Sequence, residues 1–74
     1  MAKLVVKKNE RSEILEYLIA CIIRFCSYTE EQAEQCAILV KEIGYCVIME
    51  RETYVLKKVQ EDFKQVGIVT NIIE

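Results

Sequence analysis

Residues 12–27 constrain the fold most, because their sequence predicts a helix that is apolar on nearly all sides. The large apolar residues recur at three- and four-residue steps on two adjacent faces, which is the spacing of an α-helix. They are Leu15, Leu18, Ile19, Ile22 and Cys26 on one face and Ile14, Tyr17, Cys21 and Phe25 on the other. Since only a narrow polar stripe remains, this helix must pack on two sides, and the rest of the chain must cover it.

Three runs of β-branched and other apolar residues predict short strands. The first lies in residues 3–8, and its flanking lysines place it at an edge of the sheet. The second covers residues 45–49 and the third residues 68–73. The pattern leaves open which face of the third strand is buried.

Capping signals predict where the first two helices begin and end. Ser12 is the expected N-cap of the first helix, since its hydroxyl can accept a hydrogen bond from an amide of the first turn. Thr29 and Gln32 form a capping box that starts the second helix. Gly44 is expected to end that helix in the left-handed conformation.

The second and third helices each have one apolar face. On the second helix this face is predicted to consist of Ala33, Cys36, Ala37, Val40 and Ile43. The third helix begins near Thr53 and ends at Gly67, and its apolar stripe comprises Val55 or Leu56, then Val59, Phe63 and Val66. The order β-α-α-β-α-β predicts an α+β fold in which residues 1–74 form a single domain, with the helices packed on a three-stranded antiparallel sheet.

Composition argues against two classes of partner. The 12 acidic and 10 basic residues are interspersed and leave a net charge of −2. Such a chain has no excess of positive charge to attract nucleic acid and no polybasic patch for a membrane surface. The apolar run of residues 17–23 is far shorter than the roughly 20 residues that a membrane span needs. We therefore predict a soluble, cytoplasmic protein that binds neither nucleic acid nor membranes.

The four cysteines predict buried thiols rather than a metal site. Cys21, Cys26, Cys36 and Cys46 include no Cys-x-x-Cys pair, and the chain has no histidine. Structural zinc sites use closely paired ligands. Two of the cysteines lie at helix positions shared with aliphatic residues, where a free thiol behaves as a small hydrophobic group. Reduced cysteines in a cytosolic protein, with no metal and no cofactor, are therefore expected.

Nothing in the sequence forms a catalytic constellation. Without histidine, neither a Ser-His nor a Cys-His pair can exist. The two glycines lie at predicted helix ends, so there is no phosphate-binding loop. A binding module is therefore expected rather than an enzyme.

Several short strings, taken in order along the chain, carry a resemblance. They are residues 5–11, 15–17 and 25–28, together with Ala33 and Gly44. These strings resemble the ClpS adaptor family, whose members hand substrates to a Clp-type AAA+ unfoldase. The corresponding family features are a turn ending in Asn-Asp-Asp, a Met-Glu-Phe helix start, a Phe-Phe-Ser-Tyr corner, an alanine and a glycine. The likeness covers essentially the whole chain, with a shortened second strand.

The resemblance implies a site for N-degrons, which are bulky hydrophobic N-terminal residues of substrates. It assigns Asn9 and Glu10 as acceptors for the α-ammonium group. It assigns Leu15, Ala37 and Val40 to the apolar pocket.

The chain departs from the family at three of the positions around this site. Arg11 stands where the family has its second aspartate, and Lys41 replaces the pocket histidine. Both changes place a cation beside a site for a cation. Ala37 replaces a methionine, which changes the shape of the pocket. The resemblance therefore implies an altered N-degron pocket.

The resemblance also implies a partner surface. Glu52 and Lys57 keep the spacing of the acid and the lysine with which the family contacts the unfoldase, and Lys58 adjoins them. The expected partner is the N-domain of a Clp-family AAA+ unfoldase, with an N-degron-like peptide as a further ligand. Because the first strand begins almost at Met1, the chain has no room for the flexible extension that passes substrate on in the family. We expect either a truncated form or a protein that docks without delivering.

An alternative from another class stays open. The same layout also fits a stand-alone interaction module or a small homodimer that binds no N-degron. The C-terminal domain of the ribosomal stalk protein has a related α+β layout, so the layout alone assigns no function.

Overall fold

The computed structural model describes all residues, 1–74, and confirms the predicted order of elements. The elements are β1 (Ala2–Lys7), α1 (Leu15–Cys26), α2 (Glu30–Ile43), β2 (Tyr45–Arg51), α3 (Thr53–Gln65) and β3 (Thr70–Ile73). The fold is α+β, with three helices and a three-stranded antiparallel sheet. None of the helices has the length and apolar character that a membrane span requires.

The first strand lies at the centre of the sheet, so its predicted position at an edge is wrong. The strand order is β2-β1-β3, and β1 pairs antiparallel with both neighbours. Leu4, Val5 and Val6 are all buried, whereas Lys3 and Lys7 are exposed. A strand with a hydrogen-bonded neighbour at each edge is shielded from both sides within the sheet, which fits three consecutive buried apolar residues. The lysines occupy the solvent side of this central strand rather than protecting an edge.

An irregularity in β2 is stabilised by the corner between the first two helices. Leu4 pairs with Met49 and Val5 pairs with Val47, so Ile48 has no partner in the register. Such an extra residue leaves a local gap in the ladder of hydrogen bonds. The hydroxyl of Tyr28 donates a hydrogen bond to the carbonyl oxygen of Ile48. The corner between α1 and α2 is therefore tied directly to the sheet.

All three helices lie on the same side of the sheet. Alternate residues of β1, namely Ala2, Leu4 and Val6, belong to the core cluster, whereas Val5 does not. Helices α2 and α3 cover the strands, and α1 makes its main contacts with α2 and α3. The predicted packing of α1 on two sides is therefore confirmed, although Ile14 at its beginning is 56% exposed.

The first helix begins later than predicted, and Ser12 is not its N-cap. Helix α1 starts at Leu15 after Ile14, which makes no side-chain capping bond. The buried hydroxyl of Ser12 instead donates to the carbonyl of Lys7 at 3.0 Å and accepts from the amide of Asn9 at 2.7 Å. Because this hydroxyl closes the loop after β1, it is not available to the helix.

The other boundary signals are confirmed. Thr29 and Gln32 form both hydrogen bonds of the capping box. Gly44 and Gly67 have φ angles of 94° and 80°, which favour glycine at both helix ends. The apolar face of α2 is confirmed at Ala33, Cys36, Ala37 and Val40.

The prediction that Ile43 belongs to that face is wrong, since its side chain is 60% exposed. It lies in the last turn of α2, at the margin of the buried stripe, and the chain turns away at Gly44 directly after it. Its side chain therefore extends past the end of the packed layer.

Phe63 provides a direct test of where the core lies. Phe63 lies on α3, and its side chain is fully buried. Its ring packs edge to face on the ring of Phe25, with 5.1 Å between the ring centroids. We predict that Phe63→Ala lowers the free energy of unfolding by about 3–5 kcal/mol, because it opens a cavity that the helices cannot fill. The measurement is urea unfolding followed by circular dichroism. Ile43→Ala is the control and is expected to stay within about 0.5 kcal/mol of wild type; an equal loss in both variants would contradict this packing.

Candidate functional site

The loop after β1 is held by the side chain of Asn9. Its Oδ1 accepts a hydrogen bond from the amide of Ser12 at 3.1 Å, and its Nδ2 donates to the carbonyl of Gly67 at 2.9 Å. The carboxamide is therefore engaged at both ends. One bond closes a local turn, and the other joins this loop to the end of α3.

The other residues assigned to the N-degron site differ in their burial. Glu10 is exposed and makes no ion pair, and Leu15 is half-buried against the core. Ala37 and Val40 are fully buried, with 0% of their surface accessible. Lys41 is exposed, and its carbonyl accepts a long hydrogen bond of 3.4 Å from the ammonium of Lys8.

No open pocket joins these residues. The structure contains three surface cavities, and none of the six residues assigned to the N-degron site lines any of them. Since Ala37 and Val40 are part of the core, a side chain could reach them only if α1 and α2 moved apart. N-degron binding therefore stays a prediction, and no cavity in this structure is lined by the residues assigned to it.

Arg11 turns towards α3. Its guanidinium lies 5.8 Å from the centroid of the Tyr17 ring, a distance at which a cation is attracted to the ring face. Its aliphatic stem packs on Gly67 so closely that a Cβ at Gly67 would come within 3.1 Å of Cγ. The Tyr17 hydroxyl donates to the carbonyl of Val66 at 2.8 Å. Asn9, Arg11 and Tyr17 thus converge on the turn at residues 66–67.

A cavity of about 210 Å³ opens beside this turn, between α1 and α3, and we call it the α1–α3 cavity. Its lining is Tyr17, Ala20, Cys21, Arg24, Phe25 and Val66, of which only Arg24 is charged. Burial raises the pKa of the Cys21 thiol, and the Arg24 guanidinium and hydrogen bonding with Tyr17 lower it in part. Most of these residues belong to the helix that is predicted to pack on two sides, so the sequence does not predict a cavity here. The small Ala20 one turn before Arg24 in the polar stripe indicates an open position on α1, but it does not indicate that Val66 lies opposite.

Three thiols and a phenol form a second cluster, where α1, α2 and β2 meet. Burial, with a smaller effect of Cys36, raises the pKa of Cys26 to about 11. Burial, then hydrogen bonding with Cys36 and its charge, raises the pKa of Cys46 to about 12. The pKa of Tyr28 is raised chiefly by burial and further by the three thiols. The Cys26 and Cys46 thiols are therefore neutral near pH 7, when they are poor nucleophiles.

The three residues assigned to the partner surface are exposed at the beginning of α3 and just before it. Glu52 precedes the helix without forming a side-chain cap, and Lys57 and Lys58 make no ion pair. Tyr54 is 73% exposed and lies three and four residues before the lysines, on the same side of the helix. We call Glu52, Tyr54, Lys57 and Lys58 the α3 docking face. Tyr54 is not among the residues assigned from the sequence, although its position outside the apolar stripe of α3 indicates an exposed side chain.

The hydrogen bonds of Asn9 predict a structural cost of changing it. Asn9→Ala removes both bonds, and we expect it to lower the free energy of unfolding by about 1–3 kcal/mol. Urea unfolding measures this value. Glu10→Ala changes the neighbouring residue, which has no partner, and should stay within about 0.5 kcal/mol of wild type. A neutral Asn9→Ala would show that this residue does not hold the loop.

The raised thiol pKa values predict a loss of stability in alkali. Below pH 9 the thiols are protonated in both states. Between pH 9 and the folded pKa values of about 11 and 12, the unfolded thiols ionise first. The unfolded state then binds fewer protons, so the free energy of unfolding falls as pH rises. Thermal unfolding from pH 8 to 11 should show a steeper fall for wild type than for Cys46→Ala; parallel curves would contradict the assignment.

Comparisons with known proteins identify no family for this chain. No protein-family model matches it, and no curated protein matches it. The residues and the geometry of the chain itself therefore carry any assignment of function.

Proposed function

We propose that this chain is a small non-enzymatic adaptor that docks on the N-domain of a Clp-type AAA+ unfoldase and alters its choice of substrates. The observation that carries the proposal is the α3 docking face. There, a tyrosine with 73% of its surface accessible stands among charged side chains that have no partner within the chain.

The composition of this face suits a contact with another protein. Tyrosine is enriched among the residues that contribute most to binding, because it buries a large rigid surface and keeps a polar end. Charges around such a residue guide the encounter and fix the orientation of the partner. Tyr54, Lys57 and Lys58 lie on the solvent side of α3, opposite the buried Leu56 and Phe63, and Glu52 directly precedes the helix. A partner can therefore cover it without disturbing the core.

The resemblance to the ClpS family names the class of partner. Glu52 and Lys57 stand at the spacing of the family's unfoldase contacts, and both side chains are exposed. The α+β layout is the one that this resemblance implies. The layout by itself is shared by proteins of unrelated function, so the side chains of the docking face carry the proposal.

The proposed adaptor acts by docking rather than by handing over N-degrons. Ala37 and Val40 are buried in the core, and the amide of Asn9 is already bonded at both ends. Opening a pocket there would expose apolar surface of α1 and α2 to water, which costs free energy. Occupying the unfoldase N-domain is enough to exclude other adaptors and so change which substrates enter.

A second candidate is a homodimer that forms through the outer face of the sheet. On this face Tyr45, Val47, Val69 and Ile73 are each 41–54% exposed. An uncovered apolar group of this kind is typical of an interaction surface. This candidate predicts a concentration-dependent mass in light scattering, whereas the adaptor proposal needs only a monomer.

The two exposed tyrosines give a matched test of the proposal. We predict that the ¹⁵N-labelled chain shows NMR shifts on α3 when the unfoldase N-domain is added. Tyr54→Ala should weaken this binding at least about tenfold, because it removes the central apolar contact. Tyr45→Ala removes a tyrosine that is 52% exposed on the outer sheet face and should leave the affinity unchanged.

Two results would contradict the proposal. If wild type gives no shifts at high concentrations of the N-domain, the unfoldase is not the partner. If Tyr45→Ala weakens binding and Tyr54→Ala does not, the sheet face is the contact surface instead.

A further inference from the structure

We propose that the α1–α3 cavity binds the C-terminal residue of another polypeptide, with a large apolar side chain in the cavity and the terminal carboxylate at Arg24. This site is separate from the α3 docking face. The inference does not depend on the identity of the docking partner.

The size of the cavity selects the kind of occupant. Pockets for free drug-sized ligands measure about 300–1,000 Å³. The α1–α3 cavity measures about 210 Å³ and is open to solvent on one side. It is therefore too small to enclose such a ligand, but it has room for one large side chain of a longer polypeptide.

The walls of the cavity are apolar and held in place. The Tyr17 hydroxyl is bonded to the carbonyl of Val66, which fixes the orientation of its ring. The Phe25 ring is fixed by its edge-to-face contact with Phe63 in the core. Because these two aromatic walls are already ordered, an incoming side chain has less conformational entropy to offset. The short side chain of Ala20 leaves the entrance free.

The charge at the cavity is positive and unneutralised. Arg24 lines the cavity, and Arg11 lies over the Tyr17 ring that forms one wall. Neither guanidinium has a carboxylate within 4.0 Å, and the exposed Glu16 on the same helix does not line the cavity. The positive charge of Arg24 acts on the cavity wall: it lowers the pKa of the Cys21 thiol, whereas burial raises that pKa. A planar guanidinium without a partner is suited to bind a carboxylate through two hydrogen bonds.

A C-terminal residue joins both required groups in one unit. Its side chain and its carboxylate leave the same Cα atom, so an apolar group in a shallow cavity places the anion at the rim. An internal apolar residue has only a neutral amide there, and an acidic neighbour would have to reach back. The combination of one apolar cavity and one rim arginine therefore favours a chain end that terminates in Phe, Leu or Tyr.

The test uses three acetylated peptides that differ only at the C-terminus. One ends in Phe with a free carboxylate, the second is its C-terminal amide, and the third ends in Ser with a free carboxylate. We expect the first peptide to shift the NMR signals of Ala20, Cys21 and Arg24. The amide and the Ser peptide should each bind at least about tenfold more weakly, since each lacks one of the two groups.

Matched variants separate the charge from the cavity. Arg24→Gln should weaken binding of the Phe peptide about tenfold or more. Arg51→Gln removes an exposed arginine from β2 and should leave the affinity for this peptide unchanged. Ala20→Leu should block the cavity while the helix still folds, because Ala20 is exposed and leucine favours helices. Circular dichroism confirms the fold of each variant.

Three outcomes would overturn the inference. The first is the absence of shifts with the free-carboxylate Phe peptide at millimolar concentration. The second is equal affinity for the acid and the amide, which would exclude recognition of the carboxylate. The third is wild-type affinity in a folded Ala20→Leu variant, which would place the peptide elsewhere.

Discussion

The pairing of β1 with two neighbouring strands is the constraint on which the rest of the structure depends. Leu4 and Val6 enter the core below the helices, Val5 is buried on the opposite face, and both edges of the strand are hydrogen-bonded. A strand in this position fixes the distance between β2 and β3. It also determines where the following loop leaves the sheet.

As a consequence, that loop is hydrogen-bonded to the segments that precede both outer strands, β2 and β3. The amide of Lys7 donates to the carbonyl of Val69 at 3.0 Å, and the amide of Lys8 donates to the carbonyl of Gly44 at 2.9 Å. Asn9 then bonds to Gly67, and residues 9–12 close on themselves through Ser12. The polar residues of the loop are therefore used for local structure. The same Asn in a looser loop would be free to bind a ligand, so residue identity alone does not define the site.

Local signals in the sequence predicted local structure correctly. The capping box at Thr29 and Gln32 and the glycines that end two helices depend on contacts within a few residues. The layout followed from these boundaries and from the apolar spacing, so the α+β fold could be predicted from the sequence.

Features that depend on distant partners could not be predicted in the same way. Lys3 and Lys7 resemble the protection of an edge strand, but β1 is central because two strands far along the chain pair with it. Ser12 is an exception among the local signals: it had the identity of an N-cap, but the carbonyl of Lys7, only five residues earlier, competed for its hydroxyl. The α1–α3 cavity exists because Val66 and α3 approach α1, and no spacing within α1 reveals how closely.

The two proposed binding surfaces lie at opposite ends of α3, and this separation fits the work of an adaptor. Tyr54 is in the first turn, whereas Val66 follows the last turn, twelve residues later. At a rise of about 1.5 Å per residue, the two are about 18 Å apart along the helix axis. A partner that covers the first turn therefore leaves the cavity open to a chain end. Because the rigid helix joins the two surfaces, a polypeptide held at the cavity would be kept at a fixed distance from the partner at Tyr54. The proposed adaptor would use this geometry to hold two polypeptides at once, whether or not it also binds an N-degron.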